Sequence, residues 1–194
     1  MTPRAPALPP AERKKALLTA ARAIVLEHGS AATTKLIAEA AGVAEGTLFR
    51  VFASKDELFD ALIDAEFDPD PFLARLGEID VRQPLEDRLV EAVGLLQQRF
   101  ASIFRLMIAL GVRKPPERLN SPELRERLQT EGLIRLVEPD AGRFRIPPGE
   151  VVQLLRLLTF SGTHPHISEP RMLTAPQIVD TVLHGVLLPA ERKA

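Results

Sequence analysis

Residues 33–59 read TTKLIAEAAGVAEGTLFRVFASKDELF, and the punctuation of this stretch decides the fold. Thr33 stands before a short helix-forming run and is placed to cap it, its hydroxyl accepting from first-turn amides. Gly42 ends that run by supplying the permissive backbone that a tight turn needs. A second short helix is expected over residues 45–52, with Leu48 and Phe52 one turn apart on its inner face. Two short helices joined by Ala41-Gly42-Val43-Ala44 make a helix-turn-helix. A further helix starts at once, because Ser54 and Glu57 have the spacing of a reciprocal capping box ahead of Leu58, Phe59, Leu62 and Ile63.

Upstream, a helix is expected over residues 11–28, opened by Pro9-Pro10 and closed by Gly29. Leu17, Ala20, Ala21, Ile24, Val25 and His28 give it one apolar stripe. Downstream, Asp68-Pro69-Asp70-Pro71 reads as a helix stop and a boundary between modules. Four more helical segments follow, over residues 84–110, 121–138, 148–162 and 176–188. Ser121 with Pro122 starts the second of these, and a Thr174/Gln177 capping box starts the last. Strand-like alternation is absent, so the expected fold is all-α. It comprises a tail over residues 1–10, a three-helix helix-turn-helix head over 11–55 and a helical C-terminal domain over 56–194.

Composition narrows the function. The 194 residues contain no Cys, which removes disulfides, thiolate metal sites and cysteine nucleophiles together. No stretch approaches the roughly 18 consecutive apolar residues of a membrane span. The Pro/Ala-rich start lacks a signal-peptide core, so a cytoplasmic protein with no membrane partner is expected. Residues 1–60 hold 8 Lys/Arg against 7 Asp/Glu, and the remainder holds 17 against 19, which sums to the net charge of −1. Phosphate affinity must therefore come from a few placed cations, hydroxyls and helix ends rather than a basic field. An enzyme is disfavoured, since the chain has no Tyr, no Gly-rich phosphate loop and no helix-borne carboxylate and histidine pair.

The 33–59 stretch resembles the DNA-binding signature of the tetracycline-repressor (TetR) family of bacterial regulators. The likeness rests on the capped helix, Ala-Gly-Val at the turn, Gly-Thr-Leu-aromatic in the second helix and Phe-x-Ser-Lys-acidic-Glu-Leu after it. The resemblance implies that the second helix enters the major groove of double-stranded DNA. It sets Thr33, Thr34, Lys35, Thr47 and Lys55 toward the backbone, with Gly46 permitting close approach. Arg50 is the candidate for base reading, since its fork can bridge guanine O6 and N7. Three residues depart from the family pattern. Ala44 replaces a frequent capping Ser, Glu45 cannot bond a phosphate but can accept from cytosine N4, and Phe49 replaces a Tyr and loses its hydroxyl.

Two further sets are expected in the C-terminal part. Gln97, Phe100, Phe104, Arg105, Met107, Leu157, Phe160 and His164 are candidates for a pocket taking a small apolar effector, with simple core packing as the alternative. The resemblance also implies that the last two helices pair across a two-fold axis, through Val151, Leu155, Leu158, Val179, Val182, Leu183 and Val186. His164-x-His166 lacks the third and fourth ligands of a metal site, so neither metal nor cofactor is expected. The expected function is a homodimeric regulator, a repressor released from a palindromic operator by its effector. The same fold answering to a protein partner, by way of the Asp140-Ala141-Gly142-Arg143 loop, or to no ligand at all, stays open.

Overall fold

The computed structural model describes residues 9–119 and 122–186. The helices are α1 (Pro10–His28), α2 (Thr34–Ala40), α3 (Glu45–Phe49), α4 (Lys55–Phe67), α5 (Asp70–Gly77), α6 (Leu85–Leu110), α7 (Pro122–Arg127), α8 (Arg135–Val137), α9 (Pro148–Thr163), α10 (Pro165–Ser168) and α11 (Ala175–Val186). No strand occurs among the described residues. The Ser121 cap, residues 1–8 of the tail and the last two residues of the expected 176–188 helix lie outside them.

The chain divides into two compact units, residues 1–67 with 105–114, and residues 68–104 with 115–194. In the first, Leu17, Ala21 and Val25 of α1, Ile37 and Ala38 of α2, and Leu48 and Phe52 after the turn form one buried apolar cluster. Leu58 and Leu62 of α4 and Leu106 of α6 belong to the same cluster. The head therefore extends past residue 55 to the end of α4, because α4 buries its apolar face there. Arg22 of α1 and Glu66 of α4 are paired at 2.9 Å across the same unit.

The second unit is built on α6, whose Leu89, Ala92, Val93 and Leu96 join Leu76, Leu136, Val151, Val152, Leu155, Ile178 and Val179 in one core. By length and mean hydropathy α6 is also a helix that can span a bilayer, but Arg88, Glu91 and Arg99 lie along it and its Leu89 and Val93 are core.

Helix α5 is absent from the sequence reading, in which Pro69 and Pro71 mark only a stop. The same prolines also start a helix. The Asp68 side chain accepts from the Asp70 amide at 3.0 Å, and Pro71 falls in the first turn of α5, where a missing N–H leaves no bond unmade. The expected 121–138 helix is likewise not continuous. α7 gives way to a π-helical stretch over Leu128–Ile134 before α8. Gly132 lies within it against α5, where a Cβ would stand 2.8 Å from Leu76 Cδ1 and 3.1 Å from Leu73 Cδ2. Bare backbone at that contact is what lets the two segments close together.

Among the described residues of this unit one charged group is buried. The Arg88 side chain is 3% exposed, donates to the carbonyls of Leu136 at 2.7 Å and Gln83 at 2.8 Å, and pairs with Asp140. Asp140 also accepts from Arg143 at 2.7 Å. The Asp140-Ala141-Gly142-Arg143 loop thus has an internal role, holding a buried cation. Burial alone pushes the Asp140 carboxyl up, but the hydrogen bonds from Arg88 and Arg143 outweigh it, and the group ionises below its ordinary range. Asp140→Asn should cost about 3 kcal/mol at neutral pH, because it leaves Arg88 buried without its counter-charge. A carboxyl with a lowered folded pKa gives stability above its unfolded pKa and loses it as pH falls through the folded value. Urea unfolding should therefore show a gap between wild type and Asp140→Asn at pH 7 that closes in acid.

Candidate nucleic-acid interface

The turn between α2 and α3 is built by local rules. Thr33 Oγ1 accepts from the Leu36 amide at 3.2 Å and caps α2. At the other end Gly42 has φ of +68°, its amide donates to the Glu39 carbonyl at 3.0 Å, and the Val43 amide donates to Ala38 at 3.0 Å. These two bonds close a Schellman turn, and only a residue without Cβ takes that φ cheaply. Helix α3 then opens at Ala44, which offers no side-chain cap, as its side chain dictates.

Helix α3 is shorter than the expected 45–52. It ends at Phe49 with Arg50 as its C-cap, and Val51 and Phe52 both donate to the Leu48 carbonyl, at 2.9 and 3.0 Å, as the chain tightens into a turn. Leu48 and Phe52 face inward at 0% and 1% exposed. Glu45, Gly46, Phe49 and Arg50 are exposed, Phe49 to 45%, and Thr47 is half-buried. An exposed phenyl and an exposed guanidinium on one short helix are the surface that a partner would meet. Gly46 has no neighbour within 4 Å of an added Cβ, so nothing inside the chain requires glycine there.

The polar residues around α3 are partly engaged. Thr34 donates its hydroxyl to Glu45 Oε1 at 2.6 Å, tying the start of α2 to the start of α3. That bond fixes the carboxylate beside the N-termini of both helices. Lys55 donates to the Ser30 carbonyl at 3.1 Å and lies 5.0 Å from the Phe59 ring centre. Ser54 accepts from the Glu57 amide at 3.0 Å, while the Glu57 carboxylate reaches one residue further back than a capping box requires, to the Ala53 amide at 2.6 Å. Lys35 is exposed. Lys14, a residue the sequence reading passed over, lies 5.8 Å from the centre of the Phe52 ring just after α3. Its signal was faint, one lysine in a charged first turn.

In the second unit, the residues expected to line a pocket fall into three places. Phe100, Phe104 and Phe160 gather with His164, at ring-centre distances of 6.0 Å for Phe100 to Phe104, 5.1 Å for Phe104 to Phe160 and 4.5 Å for Phe104 to His164. Gln97 borders them through Thr163 and the Leu173 carbonyl. Leu157 instead lines an open groove between α9 and α11, whereas Arg105 is exposed and Met107 belongs to the first unit. Of the residues expected at a subunit interface, Val151, Leu155, Val179, Val182, Leu183 and Val186 are 0 to 6% exposed and lie in the unit's own core, with Leu158 packed against it, because α9 and α11 turn those faces toward each other and toward α6. Leu158, Val182 and Val186 line the groove, together with Leu154 and Leu157, which are 42% and 54% exposed.

Residues 17–62 match the family model described as bacterial regulatory proteins, tetR family. Over its length the chain shares the fold of several solved TetR regulators. A TetR transcriptional regulator from Agrobacterium tumefaciens is 21% identical, with 91% of this chain and 95% of that one covered at a TM-score of 0.62. SmeT, the repressor of the Stenotrophomonas maltophilia multidrug efflux pump SmeDEF, is 20% identical, with 91% of each chain covered at 0.58. It is also solved as a triclosan complex. NalD, the secondary repressor of the MexAB-OprM multidrug efflux pump in Pseudomonas aeruginosa, is 20% identical, with 93% and 98% covered at 0.53.

Two substitutions separate the functions of this surface. Glu45→Gln keeps the bond to Thr34 and removes a charge that would repel phosphates, so DNA affinity should rise by ~1 kcal/mol on every sequence. Gly46→Ala should leave the melting temperature unchanged or raise it, since alanine favours a helix by ~1 kcal/mol over glycine. If this surface meets DNA, the same change should nonetheless weaken binding, by setting a methyl between α3 and the duplex. Fluorescence anisotropy on labelled duplexes, beside thermal melts, reads both.

Proposed function

We propose that this chain, with a tetR-family head at residues 17–62, is a DNA-binding repressor that works as a homodimer in the cytoplasm. The observation that carries the reading is α3 itself, a helix of five residues that buries Leu48 and presents Glu45, Gly46 and Phe49 outward, with its C-cap Arg50 exposed beside them. A helix of that width fits the major groove, where Arg50 reads guanine and the hydroxyls of Thr33, Thr34 and Thr47, with Lys35 and Lys55, meet the backbone. Two such heads, one per protomer, bind half-sites about one helical turn apart on a palindromic operator.

The groove between α9 and α11 supports a two-fold dimer. Its volume is about 770 Å³, and Leu154, Leu157, Leu158, Val182 and Val186 line it. Two such grooves packed against one another form a four-helix interface in which each protomer fills the other's. Single-subunit binding would engage only one weak half-site, since the head carries few free cations.

A small apolar effector held by the second unit releases the DNA. It does so by binding more tightly to a conformation whose two heads no longer match the half-site spacing. α6 contributes Leu106 to the head's cluster and Phe100 and Phe104 to the ring cluster of the other unit, which makes that helix the route of coupling. The triclosan complex of SmeT, a protein of the same fold, supports an aromatic effector as the class to try first.

Selection from random duplexes should return a palindrome, and Arg50→Ala should relax it at one or two positions per half-site at a cost of ~1–3 kcal/mol. Uniform weakening on every sequence would make Arg50 a phosphate contact. Leu154→Glu with Leu157→Glu should give a folded monomer by sedimentation that no longer binds the palindrome. Failure of the folded wild-type dimer to select any sequence would overturn the reading.

A further inference from the structure

The ring cluster of the second unit contains one polar atom that the protein leaves unsatisfied. His164 Nδ1 is buried and has no hydrogen-bond partner among the described residues. A buried polar atom left without a partner is destabilising, since its desolvation is not repaid. The same imidazole lies 4.5 Å from the Phe104 ring centre and 5.8 Å from that of Phe160. Phe160 stands at 83° to Phe100 and 82° to Phe104, so faces and edges are both presented. That is the geometry in which a further planar ring finds edge-to-face partners. Phe160 is 40% exposed, so the cluster opens to solvent through this ring.

We propose that His164 is the polar anchor of the effector site, and that the effector is a neutral aromatic molecule carrying a ring hydroxyl. The inference rests on the ligand-responsive reading above and names the ligand's chemistry. Three observations select it. The walls are phenyl rings, which favour an aromatic body. The neighbouring polar groups are Gln97, Thr163 and the exposed His166, whose ring centre lies 5.7 Å from that of His164; Gln97 already donates to the Leu173 carbonyl at 2.7 Å, and none of the three is a permanent charge that would pair with an ion. The free group is a ring nitrogen, a donor or an acceptor according to tautomer, and a hydroxyl serves either role. Helix α9 ends beside the site, with Thr163 as its last residue and His164 as its cap, so backbone geometry fixes where Nδ1 stands.

The chain has neither Trp nor Tyr, so a fluorescent ligand can be followed over a dark protein background. Titration of the full-length protein with 1-naphthol and with naphthalene, which differ only in the hydroxyl, should show the naphthol binding about tenfold more tightly, the worth of one buried hydrogen bond. His164→Phe should bind both compounds equally. His164→Asn, which keeps a polar atom near the place of Nδ1, should restore part of the preference. Should His164→Phe fail to fold, the ¹⁵N resonances of the four histidines in wild type decide the matter. Naphthol should shift His164 Nδ1 and leave His28 and His184 unmoved. Equal affinity of wild type for the two compounds, or a preference kept intact in folded His164→Phe, overturns the assignment of His164 while leaving a ligand site in place. Binding of neither compound, by protein that still selects its palindrome, overturns the aromatic-effector reading and this assignment with it.

Discussion

A helix of five residues cannot stand by itself in water, since the cost of nucleating it exceeds what so few hydrogen bonds return. α3 exists because Leu48 and the following Phe52 are buried among Leu17, Val25, Ile37, Leu58 and Leu62, and that burial is the interaction on which the head depends. It also frees the rest of the helix. With one side of α3 anchored, Gly46, Phe49 and Arg50 are left to face outward, while the exposed Glu45 ties the start of α3 to Thr34. The Schellman turn at Gly42 then sets the angle at which they are offered, because it leaves the chain no other way out of α2. Burial and exposure are thereby assigned to different residues of a segment barely more than one turn long.

The second unit solves a similar problem with longer helices. α9 is apolar on more than one side, and its sides have different destinations. Val151, Val152 and Leu155 close the unit's core, Leu154, Leu157 and Leu158 edge the groove, and Phe160 joins the rings of α6. A helix so used has little freedom to turn about its axis without disturbing all three surroundings at once. This is the physical basis for expecting ligand occupancy and subunit pairing to influence one another.

How far the sequence disclosed this structure follows from the range of the forces involved. The Thr33 cap, the Gly42 turn, the inward Leu48 and the Thr174/Gln177 box were all readable, because each is settled within four or five residues by hydrogen bonding or φ preference. α5 was not, because Pro69 and Pro71 carry one local signal for both the end of a helix and the start of the next. The π-helical stretch depends on the approach of Leu73 and Leu76 to Gly132, more than fifty residues apart in sequence, and no local pattern reports that. The same limit governs which apolar residues of α9 are buried. Leu154 and Leu155 are adjacent and equally apolar, and only packing decides that one is 42% exposed and the other 2%. Of the aromatic group, Phe100, Phe104, Phe160 and His164 were legible as candidates by type, but the burial of His164 Nδ1 is a product of tertiary structure.

The central claim is that α3, held by Leu48, reads guanine through the major groove with one copy on each half of a two-fold site. Interference by N7 methylation of guanine, mapped along the selected duplex, tests it directly, since N7 lies in the major groove and is one of the two atoms Arg50 would bridge. The account predicts two symmetric clusters of blocking guanines, about one helical turn apart on one face of the duplex. Bound DNA in which guanine methylation has no effect, or in which one unpaired cluster suffices, would contradict it.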